Sequence, residues 1–333
     1  MNILLVSSSS GGHIYPCYSL GKYLKNKGHN IKYLGINGQL EEKLLPKNEL
    51  ILTNIPKSFK KFIVNPIKYL NTFLTCNKII ENFDIIIGFG GFISYFISLL
   101  PLIKNKLFYL HEGNYDIGDS NKFALKKAKY LFTSFSECSS NNKKIYYVGN
   151  PLLDDLKHYK NEKNFISFVF GSLGSITLLN IVSDFLINQN DQNQYLLVTS
   201  TRYYEQFKEK LNNKKNVKVI SYIDRNYLYQ NSKIIFIRGG ASTLQEILFY
   251  KINAVCIPSP YVKHHHQERN ASYLSKNNYI KVIKESEINS IIIEQIINNP
   301  NYFDDINKEV YKVIKYDACK SILKVFEHDF FKK

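Results

Sequence analysis

One pattern constrains the fold of this chain more than any other, because it recurs. Four times a short apolar run is followed within about five residues by a glycine turn and then by helix-like sequence. The turns are Gly11-Gly12, Gly90-Gly91, Gly171 with Gly174, and Gly239-Gly240, two in each half of the chain. Apolar runs of this length suit strands buried on both faces, and strands alternating with helices predict parallel α/β sheets. With 333 residues the chain can form two domains, each burying its own core. The break at Gly149-Asn150-Pro151, followed by the polar stretch 154–164, divides it into 1–153 and 154–333. The last helix is free to pack back on the first domain.

In the first half, strands are expected at 2–6, 31–34, 84–87, 107–110, 130–133 and 145–148. Residues 7–13 read as a loop. A helix follows over about 15–27, stopped by Gly28, and another is expected over 120–128. In the second half, strands are expected at 165–170, 195–199, 217–221, 234–237 and 254–257, with a helix over about 177–187. The tail from 307 onward has a helical pattern.

Residues 234–271 carry the densest functional signal. A strand, the turn Arg238-Gly239-Gly240 and a helix N-terminus aim free backbone N–H groups and the helix dipole at one spot, which suits a phosphorylated ligand such as a nucleotide. Thr243-x-x-Glu246 has the spacing of a capping box, so the Thr243 hydroxyl and the Glu246 carboxylate are expected to cap the helix start. Glu246 would then also face whatever docks there. His264-His265-His266 does not predict a metal, because adjacent residues cannot all aim at one ion and no second ligand cluster accompanies them. The five cysteines are scattered, without a Cys-x-x-Cys pair, and read as reduced thiols and not as a disulfide frame or zinc site.

The formal charge is +16, but only four residues are Arg and no nucleic-acid-binding motif is present, so no nucleic-acid partner is expected. Residues 1–150 hold 19 Lys against 9 acidic residues, which makes the first half the side expected to meet an anionic partner or membrane. Residues 50–80 contain five Lys and no acid. Within them Lys57, Phe59, Lys60, Lys61 and Phe62 interleave cations with apolar groups, as in a peripheral lipid-touching patch. Ile67, Leu70, Phe73 and Leu74 follow at helical spacing and read as an ordinary amphipathic helix packed on the sheet. No apolar run approaches the roughly 18 residues of a membrane span, and the N-terminus runs straight into a strand without a signal-peptide pattern.

Taken together, SSSSGGHIYP, GFGGFIS, HEGNYDIGDSNK, GNP, FGSLGSITLLN, RGGASTLQEI and PSPYVKHHHQERNA come in the order and approximate spacing of the MurG family. These are the UDP-N-acetylglucosamine-dependent transferases of peptidoglycan synthesis. The resemblance spans about residues 1–280. It implies a GT-B fold, two Rossmann-like domains facing across a cleft. It also implies a UDP-GlcNAc donor held mainly by the C-terminal domain and an undecaprenyl-linked lipid acceptor at the N-terminal domain. The protein would sit peripherally on the cytoplasmic face of the membrane, without a cofactor.

Carried over position by position, His13 resembles the family's general base, and Ser10, Gly11 and Gly12 would lie near the donor diphosphate. Asn114 matches the asparagine of the family's His-Glu-Gln-Asn motif. Ser172, Ile223, Ala241, Ser242, Thr243, Leu244, Gln245 and Glu246 match donor-binding positions, Glu246 as the ribose carboxylate. His266 and Gln267 match the glutamine or His-Gln pair after the last core strand. The chemistry implied is inverting transfer: an acceptor hydroxyl, deprotonated by a positioned base, attacks the anomeric carbon as UDP leaves. Glycine turns and helix N-termini would stabilise the departing diphosphate. The chain departs from the family at Ser8, Ser9 and Ser10 in the first loop, at Gly113, and at Leu153, where the family has an Arg that contacts the donor. Other readings therefore stand beside the first: transfer to another lipid acceptor such as diacylglycerol, or a non-catalytic UDP-sugar-binding protein that kept the fold.

Overall fold

The computed structural model describes residues 1–7, 10–64, 67–138, 142–157, 163–171 and 174–332. In chain order, the elements are β1 (Asn2–Val6), α1 (Gly11–Asn26), β2 (Asn30–Ile36), α2 (Glu41–Leu44), β3 (Leu50–Thr53), α3 (Phe59–Val64) and α4 (Leu70–Glu81). They continue with β4 (Ile85–Gly88), α5 (Gly91–Ser98), β5 (Leu107–Glu112), α6 (Asp119–Ala124), β6 (Tyr130–Thr133) and β7 (Ile145–Tyr147). After a short 3₁₀ turn come β8 (Phe165–Val169), α7 (Ile176–Asn188), β9 (Gln194–Val198), α8 (Tyr204–Lys210), β10 (Val217–Ile220) and α9 (Arg225–Asn231). The chain ends with β11 (Ser232–Ile237), α10 (Ala241–Tyr250), β12 (Asn253–Cys256), α11 (His266–Lys276), β13 (Lys281–Val282), α12 (Ser290–Asn298) and α13 (Ala318–Phe331).

These form two compact units, Met1–Asp155 with Tyr311–Lys333, and Leu156–Val310. The first holds a seven-stranded sheet of order β3-β2-β1-β4-β5-β6-β7, the second a six-stranded sheet of order β10-β9-β8-β11-β12-β13. Every pairing is parallel. Each order reverses direction once, between β1 and β4 and between β8 and β11. Such switch points open a crevice at the carboxyl ends of the strands.

In the first unit both sheet faces are covered. Leu4, Val6, Ile86 and Phe108 meet α4, α5 and α6 on one face, through Ile80, Phe92, Phe96 and Ala124. Ile3, Leu5, Ile87, Tyr109 and Phe132 meet α1 and α13 on the other, through Ile14, Cys17, Leu20, Cys319, Ile322 and Phe326. Strands buried this way must be apolar at every position, which is why Ile85-Ile86-Ile87 shows no alternation. Helix α13 is fixed at both ends. The Asp154 carboxylate accepts from the Cys319 N–H (2.7 Å) and the Ala318 N–H (3.3 Å) at its start. Near its end, buried Asp329 accepts from the Tyr109 hydroxyl (2.7 Å) and pairs with the Lys129 ammonium (2.8 Å). The second unit packs α7 and α12 on its sheet around Phe168, Phe185, Tyr195 and Phe236. All five cysteines are buried and free, and burial pushes the thiols of Cys17, Cys76 and Cys138 up to about 12.

The structure departs from the sequence reading at several elements. Helix α1 starts at Gly11, so Gly11, Gly12 and His13 are its first turn and not a loop. An edge strand, β3, opens the Lys-rich stretch. The tail is α-helical only from Ala318. The lipid-facing expectation for Phe62 is overturned: it is half-buried, with its ring 5.8 Å from Phe96 and 6.0 Å from Phe92. The side chain of Phe59 lies outside the described residues. Lys57, Lys60 and Lys61 are exposed. The apolar groups beside them that reach solvent are Ile63, Val64 (76% exposed), Ile67 (83%), Leu70 and Leu74. Helix α4 therefore buries Cys76 and Ile80 against the sheet but leaves Leu70 and Leu74 uncovered, with Ile67 of the preceding turn, contrary to the expectation of an ordinary packed helix.

Candidate active site

In the first unit the candidate residues collect at the switch point between β1 and β4. Ser10 is extended (φ −139°, ψ 147°) and releases the chain into α1. The first-turn N–H groups of Gly11 and Gly12 have no acceptor within the helix, so they and the helix dipole make an anion-favouring edge. His13 projects from the same turn. The neighbouring strand β4 runs into Gly90, whose φ of 88° and lack of a Cβ are both required: a Cβ there would stand 3.1 Å from His13 Nε2. The imidazole therefore lies directly against a second glycine turn.

The next loop closes the site from the side of β5. A Cβ on Gly113 would lie 3.8 Å from the Gly12 carbonyl, so Asn114 follows a residue already beside the α1 start. Glu112 organises this loop. One carboxylate oxygen accepts from the Asn114 N–H and side-chain amide (3.0 Å each), the other from the Gly118 N–H and the Asn121 amide (2.9 Å each). Those four bonds commit Glu112 to holding Asn114. His111 is buried beside the Phe89 ring, with Nε2 3.3 Å from Ser134 Oγ and 3.4 Å from the Gly149 carbonyl. Burial pushes it down to about 4, the Gly149 carbonyl opposes the shift, and nearby His13 adds to it, so its imidazole is uncharged at neutral pH.

In the second unit, α10 leaves the β11 switch point from Gly240, with no side-chain cap. The expected capping box does not form. The helix begins at Ala241, so Thr243 is its third residue and Glu246 lies in the second turn, past the free N–H groups. Glu246 is 2% exposed. Its Oε1 accepts from Arg225 Nη1 (2.7 Å) and its Oε2 from the Tyr229 hydroxyl (2.9 Å). Burial raises its pKa, and Arg225 and Tyr229 act against that rise. The Thr243 hydroxyl also bonds Tyr229. Ala241, Leu244 and Gln245 are buried. The Ser242 hydroxyl is buried without a hydrogen-bond partner among the described residues.

Around this helix start the other loops are tied down. Arg238 reaches the Ile257 carbonyl (3.0 Å), Glu285 (2.6 Å) and Ser175 Oγ (2.8 Å). Gly239 approaches α11 so closely that a Cβ would stand 2.5 Å from the Gln267 carbonyl. Asn270 donates to the Gly239 carbonyl (3.2 Å), and Gln267 Oε1 accepts from the Ser259 N–H (2.9 Å). His266 is the first residue of α11. His264 and His265 sit at left-handed φ of 57° and 49°, and His265 is 3.1 Å from Glu268. Among the described residues no three His, Cys, Asp or Glu side chains are placed to hold a metal. Ile223 precedes α9, whose start is capped by Asp224 accepting from the Tyr227 N–H (3.0 Å). Ser172 lies outside the described residues.

The structure thus sets Ser10–His13 near Asn114 in the first unit; in the second, Gln267 lies against Gly239, which leads into residues 241–246, while Ile223 stands before α9, whose Arg225 and Tyr229 reach Glu246. The sequence reading missed Arg225, Tyr229 and His111. Arg225 and Tyr229 are four apart after an Asp cap, a spacing that puts both on one helix face.

Residues 3–133 match the glycosyltransferase family 28 N-terminal domain, and residues 165–312 the glycosyltransferase family 28 C-terminal domain. A Buchnera aphidicola protein is 31% identical over 90% of this chain and 89% of its own. The chain belongs to glycosyltransferase family 28. A second relative, from Thermoanaerobacter, is 29% identical over 98% of this chain and 99% of its own. Both relatives are named UDP-N-acetylglucosamine–N-acetylmuramyl-(pentapeptide) pyrophosphoryl-undecaprenol N-acetylglucosamine transferase. The crystal structure of Acinetobacter baumannii MurG shares the fold, with a TM-score of 0.78 at 18% identity, covering 98% of this chain and 99% of that one. The two Rossmann-like units of this family 28 chain are those of the GT-B fold.

Proposed function

We propose that the chain transfers N-acetylglucosamine from UDP-GlcNAc to undecaprenyl-pyrophosphoryl N-acetylmuramyl-pentapeptide (lipid I), forming lipid II for peptidoglycan synthesis. Near-full-length likeness to relatives so named supports this. The observation that carries it is the His13 imidazole laid against the Gly90 turn at the β1–β4 switch point, in the first turn of α1. In this reading His13 takes the proton from the acceptor hydroxyl as that oxygen attacks the anomeric carbon. Negative charge then builds on the leaving diphosphate, and first-turn N–H groups offset it. Asn114, held by Glu112, orients the acceptor side. Residues 241–246, Ile223, His266 and Gln267 hold UDP-GlcNAc, with the Glu246 carboxylate on the ribose hydroxyls.

The protein acts peripherally on the cytoplasmic face of the cell membrane. Lys57, Lys60, Lys61 and Lys68 meet anionic headgroups, while Ile63, Val64, Ile67, Leu70 and Leu74 enter the lipid. No helix among the described residues is long and apolar enough to cross a membrane. The test is incubation with labelled UDP-GlcNAc and either a lipid I analogue or diacylglycerol, read by mass spectrometry. The expected result is sugar added to the lipid I analogue alone. Product on diacylglycerol only would reassign the acceptor, and UDP binding without any product would make the chain a non-catalytic binder.

A further inference from the structure

We infer that Arg225 and Tyr229 are positioning residues for the donor nucleoside, gripping both oxygens of the Glu246 carboxylate from one face of α9 so that it stays an ionised acceptor for ribose hydroxyls. The inference rests on the ribose role proposed for Glu246. A carboxylate offers about four lone-pair sites. Arg225 and Tyr229 take one on each oxygen, at 2.7 and 2.9 Å, which leaves one on each for a vicinal diol. A buried carboxylate without a cation would take up a proton and become a donor where the diol also donates. Arg225 opposes this, with its guanidinium 2.7 Å from Oε1 and its side chain 32% exposed. The Asp224 cap fixes where α9 begins and hence where Arg225 points. Tyr229 is fully enclosed, anchored to Glu246 and to the Thr243 hydroxyl, so the grip is rigid on that side.

The other ionisable groups around Glu246 do not replace Arg225. Tyr250 on the same helix is uncharged at neutral pH, since burial raises it and Glu246 itself raises it further. Helix α11, also packed on α10, carries His266, Glu268, Arg269 and Lys276, with Glu268 engaged by His265. None of these reaches the Glu246 oxygens at hydrogen-bond distance.

The experiment is calorimetric titration of the full chain with UDP at pH 5.5 to 8.0, each variant expressed as a ratio to wild type to remove the titration of UDP itself. Glu246→Gln should bind at least about tenfold more weakly at every pH. Arg225→Gln should approach that loss at pH 5.5 and recover towards wild type at pH 8.0. Removing the guanidinium raises the Glu246 pKa, so the acceptor form is lost as pH falls. Arg225→Lys should restore most of the affinity at low pH, and Tyr229→Phe should show a smaller shift in the same direction. A loss in Arg225→Gln that is equal at all pH values, or no loss, overturns the inference while the Glu246 reading stands. Wild-type affinity in Glu246→Gln overturns both. Should Arg225→Gln fail to fold, Tyr229→Phe, which deletes one oxygen from a packed ring, carries the same pH test.

Discussion

His13 couples conformation to chemistry, because the backbone that starts α1 also presents the imidazole to the Gly90 turn. Replacing it with Ala should lower kcat by about 10²–10⁴-fold, the range of a general base. UDP affinity by calorimetry should hardly change, since most of the donor contacts proposed above lie in the second unit. Asn or Gln at this position should not rescue the rate. Turnover near wild type at saturating donor and acceptor would make His13 a turn residue and send the search for a base to Asp116 and Asp119. Asp329 supports a second prediction of this kind. Burial raises its pKa, but Lys129, Tyr109 and His328 outweigh that, and the net shift is downward. Its ionised form therefore stabilises the fold above the unfolded value of about 3.9, and that contribution is lost as pH falls through the lower folded value. Asp329→Asn should cost about 2 kcal/mol at pH 7 by urea unfolding, and the gap to wild type should begin to narrow at about pH 3.9 and close as pH falls through the lower folded value. The turn that carries His13 was legible in the sequence because a glycine pair shortly after a strand announces it. The partners of Glu246 were not, since Arg225 is 21 residues away and no local spacing points from one to the other.

Helices α3 and α4 show where pattern reading fails and why. Ile67, Leu70 and Leu74 have the spacing of a core-facing stripe, and spacing cannot say whether a stripe meets a sheet or a bilayer. The contact is decided by Phe62, Phe92, Phe96 and Phe73, whose rings fill the space between these helices and α5. The expected outcome in vesicle flotation is a division of labour. Lys57, Lys60 and Lys61 changed together to Gln should abolish the part of binding that needs anionic lipid and fades with salt. Ile67, Leu70 and Leu74 changed to Ser should weaken the salt-resistant part by at least about tenfold, since each buried aliphatic side chain is worth roughly 1.5–3 kcal/mol. Phe62→Ala should instead lower the melting temperature, at a cost of about 2–3 kcal/mol. Vesicle binding unchanged in both multiple mutants would place the lipid contact on another surface. The capping box failed for a related reason. Thr243 and Glu246 have the right separation, but α10 begins two residues before Thr243, and that frame is set by Gly239 packing on α11.

At the scale of the molecule, apolar runs were enough to recover eleven of the thirteen described strands, because a strand buried on two faces leaves its mark at every position. The β3 and β13 edge strands escaped notice, being short and only partly buried. The second unit, Leu156–Val310, is one continuous segment with its own core. Expressed alone, it should unfold cooperatively and bind UDP within about threefold of the full chain, checked by circular dichroism melting and calorimetry. Residues 1–155 alone should not melt cooperatively unless 311–333 is joined to them, because Ile322 and Phe326 complete the face that also holds α1. A cooperative melt for 1–155 would refute that dependence. This discontinuity also sets a schedule during translation. At roughly 5–20 residues per second, the ribosome needs about 10–35 s after Asp155 to deliver α13. For that interval the nascent first sheet waits with Tyr109 and Phe132 uncovered, a window in which a holdase chaperone would find its binding surface and a truncated message would leave an insoluble product.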